Sequence, residues 1–214
     1  MTLDAALHSE IRDLRLDADR PLLIVDADEV LIHFAEHLTR WLAAQGWVLR
    51  LTEYRLDGAI RHAQTGQAPG AFQLRELLDG FIDSETRQQL AVTGAAEALA
   101  ALSREMQVVV LTNVPARARA DRVANLAGLG MDYPLLANAG PKGPALAALA
   151  RRMSAPVAFV DDSPLQIESA ARLAASVRRI HFSGSEMLRT ILPPVPQAHH
   201  AALSWEEIAT LLRA

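Results

Sequence analysis

Three short apolar runs in this chain each end in residues able to do chemistry. Leu22-Leu23-Ile24-Val25 runs into Asp26-Ala27-Asp28, Val108-Val109-Val110-Leu111 into Thr112-Asn113, and Pro156-Val157-Ala158-Phe159-Val160 into Asp161-Asp162. Lys142 stands apart from them in the loop Gly140-Pro141-Lys142-Gly143-Pro144, just ahead of an alanine-rich stretch. In open parallel sheets, ligands bind outside the carboxyl ends of the strands. If the runs are such strands, one rim receives four carboxylates, a hydroxyl and an amide, and the loop lysine can reach it.

Electrostatics limits what such a rim can be. Two carboxylates about 4 Å apart repel by roughly 4 kcal/mol at an effective dielectric near 20. One lysine does not neutralise several acids, so either some stay protonated or a divalent cation joins them. The chain has no cysteine and no clear histidine set, and oxygen donors alone suit a hard ion, Mg²⁺ first. Carboxylates, Mg²⁺, a lysine and a hydroxyl together match a phosphate. One aspartate can attack phosphorus to give an aspartyl-phosphate, and an acid two residues on can protonate the leaving oxygen and then activate water.

The elements that must position these groups follow from the pattern around them. Runs that are apolar at successive positions and rich in branched residues suit strands covered on both faces. Residues 177–182 give a weaker fourth strand and residues 133–137 a fifth. Alanine-rich segments at 95–104, 116–129, 144–152 and 165–174 read as helices, with leucines three and four apart. Strand and helix in alternation imply right-handed crossovers: a doubly wound, Rossmann-like α/β fold with a parallel sheet. The alternation fails once. More than sixty residues separate the first run from Thr93-Gly94, and they read as helices and turns with no strong strand: helices at 33–45 and 51–62, a loop at 64–70, and two further stretches at 72–80 and 84–90. An insertion this long is expected to be a small helical cap rather than a loop. The predicted organisation is an N-terminal helical extension (1–20), an α/β core (21–32 and 93–192), a helical cap (33–92), and a proline linker with a C-terminal helix (193–214). Ser204 and Glu207 give that last helix a capping box.

Composition narrows the partners. The chain has 214 residues, half of them apolar, and a net charge of −4. That suits a folded domain with a sizeable core and offers no basic field for nucleic acid. No secretory leader is visible at the N-terminus, and no uncharged apolar run reaches the roughly eighteen residues of a membrane helix. A cytoplasmic protein, monomer or homodimer, with no membrane or nucleic-acid partner, is expected.

Taken singly, each piece has a plain structural explanation. Asp-x-Asp can make turn bonds, Thr112 or Asn113 can cap a helix, and Lys142 can be a solvated loop residue. Ser163-Pro164-Leu165-Gln166 is a helix start in its own right. Their order is what is specific. Asp26-Ala27-Asp28-Glu29-Val30 resembles the first motif of the haloacid dehalogenase superfamily, Leu111-Thr112-Asn113 its second, Lys142 its third and Val160-Asp161-Asp162 its fourth. About thirty residues separate Thr112 from Lys142, and about twenty separate Lys142 from Asp161. The resemblance spans residue 21 to about 182.

That resemblance implies a role for each matching residue. Asp26 would be the nucleophile and a Mg²⁺ ligand. Asp28 would be the general acid/base and lend its carbonyl to the metal. Thr112, with Asn113 beside it, and Lys142 would bind the phosphoryl group. Asp162 would ligate the metal directly, with Asp161 beside it or acting through water. An acid at position 28 favours phosphoryl chemistry over dehalogenation. The implied activity is a Mg²⁺-dependent phosphatase for a small phosphorylated metabolite. The rivals are a phosphomutase or phosphotransferase on the same site, and a non-catalytic phosphoryl-accepting or binding protein. Response-regulator receivers gather similar groups, but their paired acids come with the first strand, whereas here the pair comes last.

The remaining candidates point elsewhere. His33 and His37 have zinc-ligand spacing but no third ligand, so a structural role is expected. His199-His200 should be solvated, and Trp41 and Trp47 should lie in the cap core. Arg55, Arg61, His62 and Arg75 could each face a substrate from the cap or be solvated.

Overall fold

The computed structural model describes residues 3–56 and 58–214. In chain order they form α1 (Ala5–Asp13), β1 (Leu22–Val25), α2 (Phe34–Ala44), β2 (Trp47–Leu49), β3 (Ile60–His62), α3 (Ala71–Glu85) and α4 (Ala95–Leu102). There follow β4 (Gln107–Thr112), α5 (Arg119–Gly128), β5 (Leu135–Ala137), α6 (Gly143–Ala150), β6 (Val157–Asp161) and α7 (Pro164–Leu173). The chain ends with β7 (Arg178–Phe182), α8 (Glu186–Arg189), β8 (His200–Ala202) and α9 (Trp205–Arg213).

Six strands make one parallel sheet in the order β5-β4-β1-β6-β7-β8. The apolar runs account for it, because successive strand residues point to opposite faces. Leu23, Val25, Val108, Val110 and Val160 pack on one face with Leu99, Leu126 and Trp205, from α4, α5 and α9. Leu22, Ile24, Val109, Leu111 and Phe159 pack on the other with Ile11, Leu146 and Ile167, from α1, α6 and α7. With both faces apolar, a one-residue slip of a strand would cost little hydrophobic energy. The polar ends pin the register instead, since slipping β6 inward would pull Asp161 between the layers. Strand order reverses at β1, which puts the crevice over Val25 and its partners Val110 and Val160.

The segment between β1 and α4 departs from expectation. A helix is expected over residues 51–62, but the chain makes turns there and an antiparallel hairpin, β2 with β3. Gly46 and Gly58 adopt the left-handed conformation at φ +78° and +71°, which ends α2 and turns the chain into β3. Residues 72–80 lie within one longer helix, α3, which a 3₁₀ turn at Thr86–Gln88 follows. Gly80 inside α3 has a packing reason, since a Cβ there would lie 3.2 Å from the Trp41 ring. Leu38, Leu42, Trp47, Ile60, Leu77 and Phe81 form a small apolar cluster of this segment's own.

Both ends of the chain belong to the main body. Leu7 and Ile11 of α1 are buried against α6, and Arg152 donates to the carbonyls of Ile11 and Leu14. Residues 193–214 hold a strand as well as the expected helix, because β8 joins the sheet beside β7. His199 and His200 are not simply solvated: they meet the guanidinium groups of Arg179 and Arg178 at 3.0 and 3.1 Å. Ser204 accepts from the Glu207 amide as the capping box requires, while the Glu207 carboxylate reaches back to the Leu203 amide. Trp205 Nε1 donates to the Val30 carbonyl, clamping the loop after β1. No helix among the described residues is long and apolar enough to cross a membrane.

Candidate active site

The loop after β1 is wound tightly enough to fix its backbone. The Ala27 carbonyl accepts from the amides of Val30, Leu31 and Ile32, and Glu29 sits at φ +60°, rare for a residue with a Cβ. Burial raises the Glu29 carboxyl above its ordinary range, and its contacts include the Ala35 amide in the first turn of α2. The loop therefore sets the backbone that carries Asp26 and Asp28 and also caps the helix that leads into the inserted segment.

Asp26, Lys142, Asp161 and Asp162 converge below this loop. Lys142 Nζ lies 2.7 Å from both Asp26 Oδ1 and Asp161 Oδ2 and is 1% exposed. Burial alone would drive this lysine toward neutrality, but Asp161 and Asp26 outweigh it and hold its proton above the ordinary range. Gly143 makes the approach possible: a Cβ there would sit 2.4 Å from the Ser169 carbonyl, so α6 could not close on α7. The Gln166 side chain takes the Lys142 amide at 2.7 Å and holds its loop from the other side.

The oxygens of the site are unequally occupied. Asp26 Oδ1 takes the Ala27 amide as well as the lysine, while Oδ2 has no hydrogen-bond donor among the described residues. Asp161 is bonded at both oxygens, by Lys142 and by the Ser163 amide. Asp162 takes a hydrogen bond from the Tyr54 hydroxyl, and its carbonyl accepts from His181 Nε2 at 2.9 Å. Burial pushes the Asp161 carboxyl up to about 7, with Lys142 opposing and Asp26 adding. Asp162 is raised by burial and by the charges of Asp161 and Asp26.

Asp26, Asp161 and Asp162 each bring an oxygen within 4.8 Å of the others. Three acids against one ammonium leave a deficit of positive charge. A hard divalent ion fits that donor set, which is all oxygen. Thr112 Oγ1, at the end of β4, is fully buried and without a partner among the described residues. An unbonded buried hydroxyl is costly unless something else accepts from it.

Other predicted residues fare differently. Asn113 lines the crevice, but its amide is tied to the Gly140 carbonyl and its oxygen to Asn138. Its side chain therefore holds the lysine loop, rather than standing free for a phosphate. His37 is buried with Nε2 accepting from the Leu90 amide, a structural role. Arg55 lines the crevice, whereas Arg61, His62 and Arg75 do not. Trp47 and Trp41 pack in the segment's own cluster.

Two residues of the site were not legible as such in the sequence. Arg122, on α5, pairs with Asp28 at 2.7 Å and is 3% exposed. Its signal was weak: Arg122, Asn125 and Leu126 share the buried stripe of α5 by helical spacing, but nothing marks an arginine there as inward-facing. Tyr54, in a turn of the inserted segment, had no signal at all. Burial and the Asp162 charge hold its phenol well above the ordinary range, so it stays protonated. The crevice, about 270 Å³, has Asp26, Asp28, Lys142 and Asp162 on one side and Leu51, Tyr54 and Leu56 on the other.

No protein-family model matches the chain, and no curated protein matches it in sequence. Solved structures do. A HAD family hydrolase from Deinococcus radiodurans, solved with bound phosphate and sodium, superposes with a TM-score of 0.60 and 20% identity over 92% of this chain and 97% of that one. The HAD-hydrolase YfnB from Bacillus subtilis, bound to magnesium, gives 0.62 at 12% identity over 92% and 100% of the two chains. A predicted phosphoglycolate phosphatase from Haemophilus somnus gives 0.62 at 13% identity, again over 92% and 100%. The chain has the haloacid dehalogenase-like fold. At such low identity the likeness speaks for the fold alone. Within that fold, the ends of β1, β4 and β6 and the lysine loop meet around a single crevice.

Proposed function

We propose that the chain is a Mg²⁺-dependent phosphatase that hydrolyses a small phosphorylated metabolite through an aspartyl-phosphate on Asp26. One observation carries the reading: a buried Asp26 with one oxygen fixed by Lys142 and the other without a donor, inside a cluster of acids that needs a cation. The phosphate-bound and magnesium-bound proteins of the same fold agree with it.

Asp26 and Asp162, with the Asp28 carbonyl, would hold the metal, and Asp161 would support it from behind while anchoring Lys142. When bound, Mg²⁺ supplies positive charge that offsets the acids and polarises the phosphoryl oxygens. Lys142 and Thr112 orient the phosphoryl group. Asp26 Oδ2 attacks phosphorus as the bond to the leaving oxygen breaks, and Asp28 delivers its proton to that oxygen. Water then attacks the phosphoenzyme, Asp28 takes its proton, and inorganic phosphate leaves as Asp26 is freed. Burial favours the protonated Asp28 needed first; Arg122 opposes that rise and Asp26 adds to it. Residues 33–92 act as the cap, closing Tyr54 and its neighbours over the crevice to exclude bulk water.

The test is a phosphate-release screen over sugar, nucleotide and carboxylic-acid phosphates, with and without Mg²⁺, using Asp26→Asn as the blank. Mg²⁺-dependent release that Asp26→Asn abolishes is expected. An isomerised phosphate ester without free phosphate would reassign the site to a mutase, and no turnover on any ester would overturn the reading.

A further inference from the structure

Asp28 is the group whose aim decides whether a leaving oxygen receives a proton, and its loop alone does not fix its side chain. When ionised it is repelled by Asp26, two residues away. The partner that holds it comes from a different layer of the fold. Arg122 Nη2 donates to Asp28 Oδ1 at 2.7 Å. Behind it, Arg122 Nη1 donates to Asn125 Oδ1 at 3.2 Å. Asn125 is itself oriented, because its Nδ2 donates to the carbonyls of Gln89 and Arg87 at 2.8 and 3.3 Å. The guanidinium is thus held from the back by a side chain whose own orientation is dictated by backbone. Asp28 Oδ2 has no hydrogen-bond partner among the described residues, and Asp28 lines the crevice.

Arg122 is buried and Asp28 half-buried, and such an Arg–Asp pair is a weak source of stability, since desolvation offsets much of the attraction. What the pair does provide is orientation, and its bidirectional fork suits arginine rather than lysine. We propose that Arg122 is a positioning residue, holding Asp28 by Oδ1 so that Oδ2 faces the leaving oxygen. The proposal rests on the phosphatase reading for what Oδ2 does there, and on geometry for the positioning itself.

The test uses kcat/KM, which reports events up to departure of the leaving group and not the later hydrolysis of the phosphoenzyme. An alkyl phosphate needs a proton on its leaving oxygen, whereas p-nitrophenyl phosphate departs as a stable phenolate. Arg122→Met is expected to lower kcat/KM on the alkyl ester about 100-fold and on the aryl ester less than about tenfold, with Arg122→Lys recovering part of the difference. Adding Asp28→Asn to Arg122→Met should leave the alkyl-to-aryl ratio unchanged. That ratio does not depend on how much of the variant is folded. An equal loss on both esters, or no loss on either, overturns the proposal. A crystal structure of Arg122→Met checks the geometry without turnover: Asp28 turned away from its place beside Asp26 is expected, and an unmoved Asp28 overturns it. Wild-type protein inactive on both esters would instead count against the phosphatase reading, and the crystal structure would still decide the role of Arg122.

Discussion

The two sides of the crevice are built in opposite ways. The side carrying Asp26, Lys142, Asp161 and Asp162 is built on the paired strands β1 and β6 and the loop before α6, its charges are buried, and Lys142 bonds both Asp26 and Asp161. The side carrying Leu51, Tyr54 and Leu56 consists of turns between two three-residue strands, backed by a small separate cluster. Where α3 and its 3₁₀ turn meet the core, the ion pairs lie at the surface: Arg117 with Asp79 and Asp83, and Arg87 with Asp121. Buried pairs in a low-dielectric interior are expensive to break, whereas exposed pairs are worth little and are screened by salt. On the proposed function, the first side serves the chemistry and the second is the side that opens and selects.

The sharpest way to break this contrast is Lys142→Gln. It leaves Asp26 and Asp161 without their shared ammonium, and removing one partner of a buried ionic network costs about 3–5 kcal/mol. Urea denaturation should show a loss of that order, partly restored by Mg²⁺, together with loss of phosphate release. A variant as stable as wild type without metal would mean that the chemical side is not held by its charges.

A smaller effect comes from His37, which joins the entry and exit of the inserted segment by accepting the Leu90 amide. Burial holds its pKa below the ordinary histidine value, and Arg40 adds to that, against Glu85 and Glu36. The unfolded chain therefore binds this proton more readily than the folded one. The stability His37 contributes is fully present above the unfolded pKa near 6.5 and is lost as pH falls through the lowered folded value. Thermal melts from pH 7.5 down to 5 should show wild type losing more stability than His37→Gln, whose amide oxygen can keep the Leu90 bond without taking a proton. Parallel losses in both proteins would sink this account. The smallest effect belongs to Arg117→Ala. Removing the pairs to Asp79 and Asp83 should leave the melting temperature close to that of wild type, even at low salt. A loss rivalling that of Lys142→Gln would show that the inserted segment is held as firmly as the sheet.

The sequence was most informative where structure is local or where burial demands a pattern. A strand covered on both faces needs an unbroken apolar run, so the runs at 22–25, 108–111 and 157–160 announce themselves, and so do the polar residues at their ends. It was least informative for the hairpin β2–β3 and for β8. Three residues carry too little pattern to overrule a helical reading, and such strands exist only because a partner pairs with them. The extra strand β8 is the same case, with a proline linker concealing a chain that returns to the sheet edge. Arg122 and Tyr54 were hidden for a related reason. An arginine on a helix and a tyrosine in a turn look the same whether they face water or a carboxylate.

By itself, then, the order of residues determined a parallel α/β layer with an interrupted first crossover, and the identity of the acids, hydroxyl and lysine at its rim. Tertiary structure alone decided which oxygens of those acids are already bonded and which stand open. It also decided that an arginine of α5 pairs with Asp28, and that a tyrosine of the inserted segment bonds Asp162. Hydrophobic periodicity is a property of neighbours along the chain, so it can be read there. The partner of a buried charge is chosen by distance in space, across separations such as the 94 residues between Asp28 and Arg122, and no local pattern encodes it.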